Sequence, residues 1–334
     1  MAVELGLSIS TISRVVNGKK HVSRKTVDMV KKALDRNNYL PNQVARSLKA
    51  KATNTVGIIV PDIRDYFAYV IKGVEEVLSK SGYSIILADT NEDSEKEDLY
   101  VRLLHEKRVD GLILATVSTD NSALKLLGRS AIPVVFIDNL PNLPYGIDAV
   151  LLNNFKASSI AVEHLLRFGH RKIAVICGDQ RETTTKERLA GYLDALEANS
   201  IASEPDLIEY GSFTVDSGCQ CMRRLLDRMV KSGFTAVYVT SYKMTCGAIK
   251  ALKERKVSFP GDVSLVGFDF TDENKLFSPS ITSILQPVDN IGRLVAHRIL
   301  AKIHDSDAMD KTADIPQKIL LDPILEIGES VAQV

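Results

Sequence analysis

From Thr55 onwards, short continuous runs of Val, Ile and Leu alternate with longer stretches of helical periodicity, and this alternation constrains the fold more than any other feature. A run that is apolar at every position predicts a strand buried on both faces, as in a parallel sheet covered by helices. The runs that predict strands are Val56–Val60, Tyr83–Ala88, Gly111–Leu114, Pro133–Ile137, Ala149–Leu152, Lys172–Cys177, Ala236–Val239 and Ser264–Phe268.

Amphipathic segments lie between these runs and predict helices at Phe67–Ser81, Glu95–Arg108, Ala157–Phe168 and Thr185–Asn199. We expect about eleven strands in the body, which is more than one doubly wound domain usually contains. The sequence therefore predicts an α/β fold whose parallel sheets form two lobes, with a ligand cleft at the carboxyl ends of the strands.

The composition is that of a globular protein, because 45% of the 334 residues are hydrophobic and 25% are charged. No run approaches the roughly 18 apolar residues of a membrane-spanning helix. The first residues also lack the basic start and apolar core of a signal peptide, so we expect a cytoplasmic protein. The four cysteines have no CxxC spacing, and we expect neither a metal site nor a disulfide framework.

The amino-terminal segment differs in charge from the rest of the chain. Residues 1–52 contain 11 Lys and Arg against 3 Asp and Glu, a net charge of +8, whereas the whole chain has 42 of each. The net charge of the remaining residues, 53–334, is therefore −8. A basic segment of this size favours binding to a polyanion.

Helix signals in this segment predict a helix-turn-helix head. Ser8 can cap a helix over Ile9–Asn17 that ends at Gly18, and Ser23 can cap another over Arg24–Asn37. With the start of the chain this makes three helices before residue 40. Such a unit places short polar side chains and an arginine at base edges in the major groove of DNA.

Three segments of the chain carry a family resemblance: Gly6–Asn17, His21–Ser23 and Asn38–Leu48. In them the chain resembles the LacI/GalR family of bacterial transcription regulators, and the similarity continues to the carboxyl-terminal region. The resemblance implies that Ile9, Ser10 and Arg14 read bases. It implies contacts with phosphates or the groove edge for Ser8, Thr11, Ser13, Asn17 and His21.

The first helix departs from the family pattern. Family members usually have several more residues ahead of Ala2, whereas here only about five residues precede Gly6, too few for a stable isolated helix. We expect either that translation starts upstream or that the head is weakened.

The residues that follow the head, 41–54, predict a hinge. Asn42–Ala50 can form one short helix, which we expect to become ordered only when two copies pair on DNA. The family resemblance implies that Leu48 wedges into the minor groove and that Asn42 and Ala45 make flanking contacts. The alternative is that Leu48 packs into the body of its own chain. These assignments divide the chain into 1–40, 41–54 and 55–334.

Residues at predicted strand ends are the candidates for the cleft. Eight of them are Asp62, Tyr66, Phe67, Asp138, Phe213, Ser241, Tyr242 and Asp269. Arg188 joins them because it matches the arginine that grips the effector in the family, where Asp269 matches an effector-binding aspartate. The resemblance also implies a body like that of periplasmic sugar-binding proteins, whose chain crosses between the lobes three times.

Aromatic faces beside an arginine and an aspartate suit a sugar ring or a flat heterocycle. Other roles stay open: Asp138 and Asp269 as caps, Phe67 and Phe213 as core, and Arg188 as a surface ion pair. Ser241 and Tyr242 replace the Asn-Asp pair of many family members, and the loop before Phe67 is about one residue shorter than usual. No particular sugar is therefore carried over from the family.

The chain has none of the common catalytic motifs, neither a dinucleotide fingerprint, a P-loop, a nucleophile elbow nor a zinc-protease motif, so we expect no enzyme and no cofactor. The sequence predicts a homodimeric regulator, a repressor by family precedent, that binds a palindromic operator and a small sugar or sugar-like effector. Two alternatives are a regulator with a protein co-effector and a solute sensor that has lost DNA binding.

Overall fold

The computed structural model describes residues 2–16, 22–37, 52–117, 122–128, 130, 132–144, 146–271, 278–306 and 315–334. The chain divides into two compact units, residues 1–53 and residues 54–334. None of the helices in the described ranges is both long enough and apolar enough to span a bilayer.

The first unit contains three helices, α1 (Ala2–Leu5), α2 (Ile9–Val16) and α3 (Arg24–Arg36). The predicted caps are present: the Ser8 Oγ accepts a hydrogen bond from the Thr11 amide at 3.1 Å, and the Ser23 Oγ accepts one from the Thr26 amide at 3.2 Å. Val30 is fully buried on the inner face of α3. The predicted helical head is thus confirmed, with boundaries within one residue of the expected ones.

The second unit is built on two six-stranded sheets. Its strands are β1 (Thr55–Val60), β2 (Ser84–Asp89), β3 (Gly111–Leu114), β4 (Val134–Ile137), β5 (Asp148–Leu152), β6 (Ile173–Cys177), β7 (Ile208–Tyr210), β8 (Ala236–Val239), β9 (Ser264–Phe268), β10 (Thr282–Leu285), β11 (Lys318–Leu321) and β12 (Ile324–Glu326). The strand orders are β11-β5-β4-β3-β1-β2 and β12-β10-β9-β8-β6-β7. All neighbours are parallel except β12, which is antiparallel to β10.

Helices cover these sheets, as expected for parallel strands with apolar residues on both faces. They are α4 (Tyr66–Lys80), α5 (Ser94–Glu106), α6 (Ser122–Leu127), α7 (Asn154–Arg167), α8 (Thr183–Ala198), α9 (Val215–Ser232), α10 (Tyr242–Glu254) and α11 (Val288–Ser306). Helices α9 and α10 pack backbone to backbone at Gly247, where an added Cβ would lie 2.0 Å from the Val215 carbonyl oxygen. Only glycine permits this approach.

The chain passes between the two sheets three times, after β5, after β10 and between β11 and β12. We call the part with β1 to β5, β11 and α11 the first lobe, and the part with β6 to β10 and β12 the second lobe. The two-lobed α/β body that the sequence predicts is confirmed.

Element boundaries differ from the predicted ones where a polar cap extends a helix beyond its apolar stripe. Helix α7 begins at Asn154 rather than Ala157, because the Asn153 side chain accepts a hydrogen bond from the Lys156 amide at 3.1 Å. The described ranges contain twelve strands, one more than the approximately eleven expected. Two of them, β7 and β12, have only three residues each. Strands that short have no periodicity to detect.

A buried ionic cluster ties α11 to β5, the strand next to the edge of the first sheet. The Asp148 side chain, at the start of β5, accepts hydrogen bonds from the Arg298 Nε at 2.6 Å and from the Gln317 amide at 3.1 Å. The Lys302 Nζ lies 2.7 Å from the other carboxylate oxygen, and only 4% of the Asp148 side chain is exposed. One carboxylate therefore balances two cations.

Candidate functional site

The two lobes enclose a cleft at the carboxyl ends of their strands, with about 850 Å³ of empty space when the open solvent at its mouth is included. All nine residues predicted for the cleft line it: Asp62, Tyr66, Phe67, Asp138, Arg188, Phe213, Ser241, Tyr242 and Asp269. Both lobes contribute, which follows from the rule that parallel strands present their carboxyl ends to one edge of the sheet.

Arg188 lies in α8 and is 5% exposed. Its Nε donates to the Asn154 Oδ1 at 2.8 Å and its Nη1 to the Thr240 carbonyl at 2.6 Å, while the guanidinium carbon lies 3.9 Å from the centre of the Phe268 ring. No carboxylate among the described residues pairs with it, so the surface ion pair considered for Arg188 is not what the structure contains. The arrangement aligns the guanidinium and leaves its Nη2 for a ligand.

Asp138 and Asp269 follow β4 and β9 with φ angles of 63° and 53°, in the left-handed region. Burial raises the pKa of Asp138, against the attraction of Arg188. Burial also raises the pKa of Asp269 to about 6, although its carboxylate accepts hydrogen bonds from the Gln286 amide at 3.1 Å and the Gln286 Nε2 at 2.7 Å. Strained backbone and unfavourable burial at two strand ends are typical of functional positions.

An ion pair joins the lobes across the cleft. The Lys243 Nζ, in the second lobe, lies 2.6 Å from the Asp62 Oδ2 in the first lobe. Arg64 also binds the Asp62 carboxylate with its Nε at 2.8 Å and its Nη2 at 2.9 Å. Burial alone would raise the pKa of Asp62, but these hydrogen bonds outweigh it and hold the pKa well below its ordinary value. The Asp62 carboxylate is thus ionised, and both of its oxygens accept hydrogen bonds from cationic side chains.

Aromatic rings form much of the apolar wall. Tyr66 and Phe67 meet edge to face with ring centres 4.8 Å apart, and Phe67 also belongs to the core of the first lobe. The Phe213 ring lies on Gly178, where an added Cβ would be 2.0 Å from the ring Cζ. Ser241 uses its hydroxyl to cap α10, accepting from the Met244 amide at 3.3 Å. These aromatic rings suit a flat or ring-shaped ligand.

Sequence reasoning missed several residues that line the cleft. Thr116 and Gln286 lie just past the carboxyl ends of β3 and β10. Their positions follow the same pattern as the predicted residues, because ligands bind at the carboxyl ends of parallel strands. Glu92 and Glu182 lie in turns ahead of helices and carry no motif. Only the folded chain brings them beside Asp138.

The pKa of Glu182 leads to a testable prediction about the stability of the fold. Burial, together with Asp138, Glu92 and Asp179, raises its pKa from 4.5 to about 8, against the attraction of Arg181. Between these pH values the carboxyl is neutral in the folded state and ionised in the unfolded state, so folding loses stability as pH rises. We expect Glu182→Gln to increase the free energy of unfolding at pH 8 by on the order of 1 kcal/mol, with no gain at pH 4.5.

Urea unfolding at both pH values measures this difference. Glu197→Gln, at an exposed position of the same helix, is the control and is expected to have no effect at either pH. An equal change for Glu182→Gln at both pH values would show that the carboxyl is not neutral in the folded protein.

The DNA-contact residues predicted from the first unit fall into two groups. Ser8, Ser10 and Arg14 are exposed on α2 or its cap, Ile9 is 79% exposed, and Thr11 and Ser13 are half-buried. An exposed isoleucine beside short hydroxyls and an arginine suits a groove. The other predicted contacts lie outside the described residues: Asn17, His21, Asn42, Ala45 and Leu48.

Two family models match the chain. Residues 53–321 match the family described as periplasmic binding proteins and sugar binding domain of the LacI family. Residues 1–42 match the bacterial regulatory proteins of the lacI family. Together they span both units of the structure.

Relatives match over nearly the full length. The HTH-type transcriptional repressor PurR of Haemophilus influenzae (strain PittEE) is 33% identical over 332 residues, covering 98% of this chain and 96% of the relative. The repressor of the same name from Actinobacillus pleuropneumoniae serotype 3 (strain JL03) is 34% identical over 327 residues, covering 98% and 95%.

Solved structures agree with these matches. A complex of the transcriptional regulator CelR with cellobiose has a TM-score of 0.74 and 30% identity, covering 98% of each chain. The Lac repressor dimer bound to operator and the anti-inducer ONPF has a TM-score of 0.85 and 25% identity, covering 99% of this chain and 97% of that one. The chain therefore belongs to the LacI family of bacterial regulatory proteins, and it is a DNA-binding transcriptional repressor rather than an enzyme.

Proposed function

We propose that this repressor acts as a homodimer on a palindromic operator and responds to a small sugar or sugar-like molecule in the cleft. The observation that carries the proposal is the cleft itself, where side chains from both lobes converge on an aromatic, polar space around Arg188. Relatives support it, because one solved neighbour is a complex with cellobiose and another is a dimer bound to operator.

On the DNA side, Ile9, Ser10 and Arg14 would read bases, and Ser8, Thr11, Ser13, Asn17 and His21 would hold the backbone. Residues 1–40 would form the reading head and residues 41–54 the hinge, with Leu48 as the minor-groove wedge and Asn42 and Ala45 beside it. A repressor of this kind works on chromosomal DNA, which places it in the cytoplasm.

On the effector side, the three cleft residues with the clearest proposed roles are Arg188, Asp138 and Asp269, which would orient the polar groups of the ligand. The aromatic residues would stack on its ring, and residues 55–334 would form the effector-binding and dimerisation part. Closure of the lobes would change the spacing of the two hinges. A coupling free energy of about 1 to 3 kcal/mol is enough to change operator affinity between roughly 5- and 150-fold.

Selection from a randomised duplex library tests the operator, with the full chain at near-physiological salt. Enrichment of a palindrome with a flexible pyrimidine-purine step at its centre would support the proposal, because a two-fold dimer reads a two-fold site. Enrichment of nothing beyond random sequence would contradict it. Analytical ultracentrifugation on the same sample measures the oligomeric state.

Arg14→Ala makes the base-reading role testable. A bidentate contact from arginine to guanine discriminates between base pairs, so we expect loss of about 1 to 3 kcal/mol and relaxed preference at one operator position. Lys25→Ala, an exposed change on α3, is the matched control and should weaken binding equally on all sequences. Binding curves on the selected operator and its single-base variants measure both, and a uniform loss with Arg14→Ala would remove the assignment.

A further inference from the structure

Acidic groups outnumber basic ones around the cleft. The carboxylates that line it are those of Asp62, Asp65, Glu92, Asp138, Glu182 and Asp269, whereas the cations are those of Arg64, Arg188 and Lys243. With every group ionised, the lining would have six negative charges and three positive ones, a net charge of −3. An enclosed surface of one sign favours a ligand of the opposite sign.

Two of the three cations are already committed. Arg64 and Lys243 both bind the single carboxylate of Asp62, at distances between 2.6 and 2.9 Å. Arg188 is the remaining cation, and it donates to an amide oxygen and a carbonyl rather than to a carboxylate. The other carboxylates of the lining therefore have no cationic hydrogen-bond partner among the described residues.

Three of those carboxylates face the interior of the cleft from different elements. Asp138 follows β4 in the first lobe, while Glu182 precedes α8 and Asp269 follows β9 in the second. All three are half-buried. Asp269 has only the neutral donors of Gln286, and the side chains of Asp138 and Glu182 have no donor among the described residues. Arg188 attracts Asp138 and Asp269, and Arg181 attracts Glu182, but burial outweighs this attraction, so the protein compensates the charged forms poorly.

The hydroxyl of Thr184 is a further polar group of the lining. Thr184 is 5% exposed and lines the cleft, yet its hydroxyl has no hydrogen-bond partner among the described residues. It stands two residues after Glu182, at the start of α8. Because Thr184 lines the cleft, its hydroxyl can hydrogen-bond a molecule that binds there.

Aromatic side chains surround the same space. Tyr66, Phe67, Phe213 and Tyr242 line the cleft beside the carboxylates. The faces of aromatic rings attract cations, and recognition of ammonium groups by aromatic rings with nearby carboxylates combines this attraction with charge-assisted hydrogen bonds. A metal ion does not fit as well, because no group of His, Cys, Asp and Glu in the described ranges is arranged to hold one.

We propose that the effector of this cleft carries a positively charged ammonium group, which binds among Asp138, Glu182 and Asp269. The inference rests on the proposed function, since it assigns a chemical class to the effector of the same cleft. An amino sugar and an aliphatic diamine share this group. The sugar ring would use the aromatic faces, and the Thr184 hydroxyl would accept from the ammonium or bind a neighbouring hydroxyl.

Proton release is a consequence of this arrangement. Burial and the neighbouring Asp138, Glu92 and Asp179 oppose ionisation of Glu182, whereas Arg181 favours it. An ammonium ion would favour ionisation of the same carboxyl, so its binding at neutral pH would be accompanied by loss of a proton from the protein.

Matched probes that differ in the amine alone test the proposal on the full chain. The pairs are glucosamine with glucose and 1,4-diaminobutane with 1,4-butanediol, measured by thermal shift and by calorimetry in two buffers of different ionisation enthalpy. We expect at least one amine to bind about 10-fold or more tightly than its hydroxyl partner, with proton release. The sugar pair and the aliphatic pair distinguish the two sources of the amine.

Variants locate the effect. Glu182→Gln and Asp138→Asn should each reduce the preference for the amine about 10-fold, whereas Glu197→Gln on the exposed side of α8 should leave it unchanged. Equal or weaker binding of both amines, or no binding by either, would overturn the proposal. Binding of a neutral sugar with a change in operator affinity would then leave the proposed function intact, whereas the absence of any sugar response would overturn both proposals.

Discussion

Changing Arg188 to lysine is expected to abolish the response of the repressor to its effector, although the positive charge is kept. The guanidinium donates to Asn154 and to the Thr240 carbonyl while its face rests on Phe268. An ammonium group cannot provide this planar fork and a further donor for the ligand at once. Loss of a buried charge-assisted contact costs about 2 to 5 kcal/mol, so effector affinity should fall at least about 30-fold.

A reporter gene behind the selected operator measures this loss as the change in expression on addition of the effector. Arg181→Lys is the matched control, because Arg181 is an exposed arginine two residues before the same helix and pairs with Asp179. It should respond like the parent protein. A normal response from Arg188→Lys would place the effector away from Arg188.

Replacing Asp148 by alanine should lower the free energy of unfolding by about 3 to 5 kcal/mol, because it removes a buried carboxylate that binds two buried cations. The cations that lose this ion pair are Arg298 and Lys302, whose side chains are 13% and 12% exposed. The loss should also free α11 from the start of β5. Urea unfolding followed by circular dichroism measures it.

A surface ion pair provides the control for this change. The Arg255 Nη2 lies 2.7 Å from the Asp227 Oδ1, but both side chains are at least half exposed. Asp227→Ala should therefore change the free energy of unfolding by less than about 1 kcal/mol. Similar losses for the two aspartates would mean that burial does not set the strength of the Asp148 cluster.

The sequence predicted the body well wherever burial left a pattern. Strands such as β1 and β9 are apolar at nearly every position, so their presence and their ends could be read directly. Because ligands bind at strand ends in such folds, the same pattern indicated Asp62, Asp138 and Asp269. Their binding roles remain predictions, whereas their convergence on one cleft is a finding.

Other features of the site depend on long-range contacts that no local pattern records. Lys243 comes directly after the predicted cleft residues Ser241 and Tyr242. Its ion pair with Asp62, however, joins positions that are 181 residues apart in the sequence. The proximity of Glu182 to Asp138 and Glu92 likewise arises from the approach of the two lobes. Arg188 was found only through the family resemblance, since one arginine in an amphipathic helix is otherwise ordinary.

The position of the last two strands has a consequence for biosynthesis. Strand β11 completes the edge of the first sheet and β12 that of the second, although most of the first lobe is encoded far upstream. A nascent chain that has produced β1 to β5 still lacks α11 and β11, so the lobes cannot mature one after the other as independent domains usually do during translation. A message cut short before codon 318 would yield a polypeptide with an open strand edge in each lobe, a species prone to aggregation and degradation.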